Sequence, residues 1–94
     1  MSRPRIEVTH VDGDRFRVTV DEGGSRTSHL VTVEPGYAGR LVGAVPREEL
    51  VRRSFEFLLE REPKEAILRS FELPVIARYF PEYEAEIARR VRVR

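Results

Sequence analysis

Apolar residues recur at every second position through the first third of the chain. Ile6 and Val8, then Phe16, Val18 and Val20, then His29, Val31 and Val33 keep the period of a strand with one buried face. Turn formers separate the runs: Asp12-Gly13-Asp14, then Gly23-Gly24. The pattern predicts a meander of three antiparallel strands at about 5–11, 14–22 and 25–34. Alternation also constrains the loops. A two-residue loop at Asp12-Gly13 would set Val8 opposite Arg17 and turn the two apolar sets to opposite faces. A three-residue loop instead places Val8 opposite Val18 and Ile6 opposite Val20. At the second turn a two-residue Gly-Gly loop, both residues at positive φ, puts Phe16 opposite Val31 and Val18 opposite His29. The other face then carries Asp21 between Arg5 and Arg26 and is polar. One apolar face is left for another element to cover.

From residue 46 the period changes to that of a helix. Pro46 and two glutamates suit a first turn at 46–61, PREELVRRSFEFLLER. Leu50, Val51, Phe55, Phe57, Leu58 and Leu59 spread over roughly 200° of its circumference, an arc wide enough for two neighbours. Three short helices are expected afterwards within 63–91, each restarted by a proline: Pro63, Pro74 and Pro81. The segment 35–45, with three glycines, reads as loop with at most one helical turn at 37–41. In the last helix Tyr83, Ile87 and Val91 form a narrow stripe, with Phe80 as its backward extension and expected anchor. The fold class expected is α+β: a single domain over 1–94, with the meander at 5–34, one main helix packed on it, short C-terminal helices, and a basic tail at 92–94.

Composition narrows the chemistry. Ninety-four residues make one domain, large enough to bury a core without covalent staples. The absence of cysteine removes disulfides, thiolate metal sites and cysteine nucleophiles. No signal-like apolar run opens the chain and no stretch is long enough to span a bilayer, so a cytoplasmic location is expected. The net charge of +1 gives no global pull toward nucleic acid. All basic residues but Lys64 are arginine, and asparagine and glutamine are missing, which reads as the codon bias of a GC-rich genome. Only the final RRVRVR is lopsided, with four arginines and no acid.

No catalytic constellation emerges. His10 and His29 share a sheet face but stand two strands apart, with Cα atoms ~12 Å from one another, and no further metal ligand has suitable spacing. Ser28 and His29 are strand neighbours and point to opposite faces, so they cannot form a nucleophile–base pair. Neither a nucleophile elbow nor a phosphate-binding glycine loop is present. No cofactor is expected. Two binding surfaces suggest themselves. The stripe of Tyr83, Ile87 and Val91 is a candidate protein contact or homodimer seam, alongside the open edges of the meander. Residues 64–80 read as helix, short turn, helix; with the arginine tail they offer Arg78, Arg89, Arg90, Arg92 and Arg94 as candidate nucleic-acid contacts.

Residues 55–87, FEFLLEREPKEAILRSFELPVIARYFPEYEAEI, resemble a group of short prokaryotic proteins. In that group a three-strand N-terminal half precedes an LLEREP block and a YFPEY block, here residues 58–63 and 79–83. The resemblance implies an α+β protein of bacterial or archaeal origin and carries no activity, cofactor or binding residue with it. A non-catalytic domain acting through protein contacts is therefore the leading expectation, with nucleic-acid binding as the alternative.

Overall fold

Strands β1 (Arg5–Asp12), β2 (Arg15–Glu22) and β3 (Ser25–Thr32) form the expected antiparallel meander in a computed structural model that describes residues 3–92. Val8 stands opposite Val18, Ile6 opposite Val20, Phe16 opposite Val31 and Val18 opposite His29. Both apolar sets share one face, but the extra residue at the first turn lies elsewhere. Asp12 pairs with Arg15 across a two-residue loop, and the register shifts between His10 and Asp12, so Val11 is a bulge. Bulge and odd loop are equivalent in parity. The bulge is chosen where Arg15 grips Asp12 with two hydrogen bonds of 2.8 and 2.6 Å, while His10 Nε2 donates to the Gly13 carbonyl at 2.8 Å. At the second turn Gly23 and Gly24 sit at φ 67° and 81°, as a two-residue hairpin loop between twisted strands requires.

Two readings of the middle of the chain need correction. Residues 35–45 are not mainly loop: α1 spans Pro35–Val42, with Pro35 in its first turn and Gly43, at φ 73°, ending it. Only Gly39 lies in its interior, too small a penalty to prevent burial of Tyr37, Ala38 and Val42. Nor is there an α-helix following Pro63. That segment forms a 3₁₀ turn at Lys64–Ala66 and then a fourth strand, β4 (Ser70–Glu72), parallel to β3. The sheet order is β1-β2-β3-β4. Leu30 N–H donates to the Arg69 carbonyl at 2.8 Å and Leu73 N–H to the Thr32 carbonyl at 3.0 Å. Closing one edge of the meander outweighs a local helical preference, because strand stability is set by its neighbours. The crossover between these parallel strands contains α1 and α2, long enough for such a connection.

The main helix, α2 (Arg47–Leu59), has the two-sided burial its wide apolar arc requires. Phe55 turns toward the sheet, 5.3 Å from the His29 ring and 6.1 Å from Phe71. Phe57 turns the other way, edge-on to Tyr83 and Phe80. Two further helices, α3 (Val75–Tyr79) and α4 (Tyr83–Arg92), complete the chain. The polar sheet face is open, with Asp21 paired to Arg26 at 2.8 Å. No helix among the described residues is long and apolar enough to cross a membrane.

Candidate functional site: an apolar groove between α2, β4 and α3

The stripe of Tyr83, Ile87 and Val91 is core. All three side chains are buried, where α4 lies against α2 and α1. The stripe therefore offers no protein contact or dimer seam in the folded chain, because docking α4 on its own domain covers it. Phe80, expected as the anchor, is only half-buried; Tyr83 is the fully buried ring. Its hydroxyl meets Ser54 Oγ at 2.6 Å, and Tyr37 donates to Glu84 at 2.8 Å, tying α4 to α2 and α1 respectively.

Of the candidate nucleic-acid contacts, Arg89 and Arg90 are already paired with carboxylates of the same chain. Residues 64–80 comprise a 3₁₀ turn, a strand and a five-residue helix, so the helix–turn–helix geometry is not formed. Arg90 bridges Glu60 and Glu86 at 2.6 and 2.7 Å, and Arg89 pairs with Glu86 at 2.5 Å. Hydrogen bonds donated to Glu60 and then to Glu86 push the Arg90 pKa further up, the mark of a guanidinium held by carboxylates. Arg78 is exposed on α3. The Arg92 side chain and Arg94 lie outside the described residues.

Neither histidine approaches a metal set. His29 is 1% exposed and hydrogen-bonded at both nitrogens: Nδ1 to the Leu68 carbonyl at 2.8 Å, Nε2 to Thr27 Oγ1 at 2.9 Å. A carbonyl can only accept, so Nδ1 carries the proton and Nε2 accepts from Thr27. His10 is exposed at the bulge. Among the described residues no group of three or more His, Cys, Asp or Glu could hold a metal ion.

What the fold does build is a groove of about 170 Å³ beneath β4. The end of α2 supplies Leu58 and the turn after it Glu62, the 3₁₀ turn and its exit supply Ile67 and Leu68, and β4 supplies Phe71. Tyr79 and Phe80, at the end of α3, form the far wall. Leu68 and Tyr79 are 46% and 65% exposed, two of the three most exposed large apolar side chains among the described residues. Among the described residues Glu62 is the one acidic side chain in the lining. Burial holds its pKa above the usual glutamate range, and no ion pair or side-chain hydrogen bond answers it among the described residues.

Comparison with protein-family models, with curated proteins and with solved structures finds no match.

The groove is also where the LLEREP and YFPEY blocks meet. Leu58 and Glu62 come from the first and Tyr79 and Phe80 from the second. Arg61 joins the blocks, stacked 3.6 Å from the Phe57 ring centroid and 3.2 Å from Glu82. A wider depression of about 570 Å³ lies beside Val45, Pro46 and Val91. Its charged walls are already satisfied, Arg53 by Glu49 and Glu56 and Arg90 by Glu60 and Glu86. Sequence reasoning missed the groove because its parts come from four elements, and the three residues of β4 are too few to show a period.

Proposed function

We propose that this chain is a small non-catalytic domain that binds a partner polypeptide by accepting an apolar side chain in the groove between α2, β4 and α3. The groove's size carries the reading. A cavity of ~150 Å³ holds one benzene-sized group, whereas sites for cofactors and metabolites are typically ~300–1,000 Å³. At about 170 Å³ the groove suits a single phenylalanine- or leucine-sized anchor. Exposed Leu68 and Tyr79 at its lip supply the surrounding contact that shields such an anchor from water.

A phage-displayed library of random twelve-residue peptides tests this. Selected peptides should carry a bulky apolar residue, bind the wild-type chain on titration calorimetry, and lose binding to Leu68→Glu. Peptides that bind Leu68→Glu as well as wild type would place the interaction elsewhere and overturn the proposal. Sedimentation supplies a second arm. If the wild-type chain dimerises and Leu68→Glu is monomeric, the groove is filled by a second copy and not by a foreign polypeptide.

A further inference from the structure

The groove does not end at its lip; it opens under a sheet edge. Since Arg69 O and Leu73 N turn toward β3, alternation turns the N–H and C=O of Ser70 and Glu72 away from it. Among the described residues no strand lies beyond β4, and none of these four groups has a hydrogen-bond partner. The opposite edge of the sheet is blunter: Arg52 donates to the Ile6 carbonyl of β1. Side chains on β4 alternate as well. Ser70 and Glu72 are exposed, while Phe71 faces the helices and forms part of the groove. Any strand added beyond β4 would send every second side chain to the Phe71 face, and so into the groove.

Charge defines the rest of the ligand. Among the described residues Glu62 is the only carboxylate in that lining, and no basic side chain lines the groove with it. A partly buried carboxylate without a cation carries a desolvation cost that a cationic ligand offsets. Anchor and cation must both come from the groove-facing positions of the added strand. They therefore stand two residues apart, ~6.8 Å along an extended chain.

Building on the groove reading above, we infer that the partner is an extended segment that adds to the outer edge of β4 as a fifth strand. It places a bulky apolar side chain in the groove, with an arginine or lysine two positions away on Glu62.

The peptides selected above decide this too, through measurements the groove reading does not share. Aligned sequences should show an apolar residue and Arg or Lys at i and i+2. Glu62→Gln should weaken a basic peptide about tenfold, the worth of one charge-assisted hydrogen bond, and leave its alanine-for-arginine analogue unaffected. Amide exchange of Ser70 and Glu72 should slow at least tenfold in the complex, and N-methylation of the peptide's β4-facing amides should abolish binding. Should peptides bind in a Leu68-dependent manner with Glu62→Gln silent and both amides unprotected, strand addition is wrong and the groove reading survives. Absence of any Leu68-dependent binding overturns both.

Discussion

The hydroxyls of Ser54 and Tyr83 meet at 2.6 Å in the core, far from solvent, joining α2 to α4. Ser54 has one proton and donates it to the Leu50 carbonyl at 2.7 Å, so Tyr83 is the donor in the shared bond. Burial pushes the Tyr83 pKa upward, and the phenol stays protonated. An unequal pair of mutational costs follows. Tyr83→Phe removes one hydrogen bond, about 0.5–1.5 kcal/mol. Ser54→Ala leaves a buried phenol without an acceptor, about 1–3 kcal/mol, and adding Tyr83→Phe should recover part of that loss. Urea denaturation of the three variants is the measurement. Simple additivity would mean that the hydroxyls do not interact.

His29 makes stability depend on pH in a defined direction. Burial is the main cause of its lowered pKa, with nearby Arg69 acting the same way against the opposing bond to the Leu68 carbonyl. The unfolded chain thus takes up this proton at a higher pH than the folded one. Above the ordinary histidine range, near 6.5, both states are neutral and the contribution is complete. It shrinks as pH falls from there through the folded-state pKa. Urea midpoints should decline between pH 7.5 and 5.5, and the His29 resonance should titrate below 6.5 with its proton on Nδ1. A midpoint that rises on acidification, or a His29 titrating above 6.5, would contradict the buried geometry.

Period and parity made the first half of the fold readable. Each strand in the meander has two or three residues of the alternating set, enough for Val8, Val18 and His29 to report their register. The width of the apolar arc on α2 foretold two neighbours, with Phe55 and Phe57 serving one each. Where tertiary context decides, the sequence is silent. Phe71 looks like the end of a helix until Val31 is placed beside it. Lys64, the sole lysine, is buried with its ammonium 2.9 Å from Glu65, and no local pattern announces that. The groove is least legible because Leu68, Glu62 and Tyr79 become neighbours only once β4 has paired.

Phe80 and Phe57 test the position of the groove wall. Both are phenylalanines, edge-on to one another with centroids 6.0 Å apart, but Phe57 is fully buried and Phe80 only partly. Phe57→Ala should cost about 3–5 kcal/mol, the usual range for emptying a core site. Phe80→Ala should cost roughly half that, because the transfer term scales with area removed from water. Equal losses in urea denaturation would put Phe80 in the core and leave the groove without its far wall.

Two glycines should respond to alanine with opposite signs. Gly24, at φ 81° in the β2–β3 turn, holds a conformation that an alanine adopts only under strain, so Gly24→Ala should destabilise by about 1–2 kcal/mol. Gly39 lies inside α1 with a helical backbone, and an added methyl there meets no atom within 4 Å. Gly39→Ala narrows the unfolded ensemble and improves helix propensity, for a gain of about 0.4–1 kcal/mol. In a domain of this size each kcal/mol moves the melting temperature by roughly 4–8 °C, so calorimetry resolves both changes. The second variant bears on α1 directly. Had residues 35–45 been the loop that their glycines suggest, Gly39→Ala would bring no gain, and a Tm unchanged or lowered by that substitution would restore the loop reading.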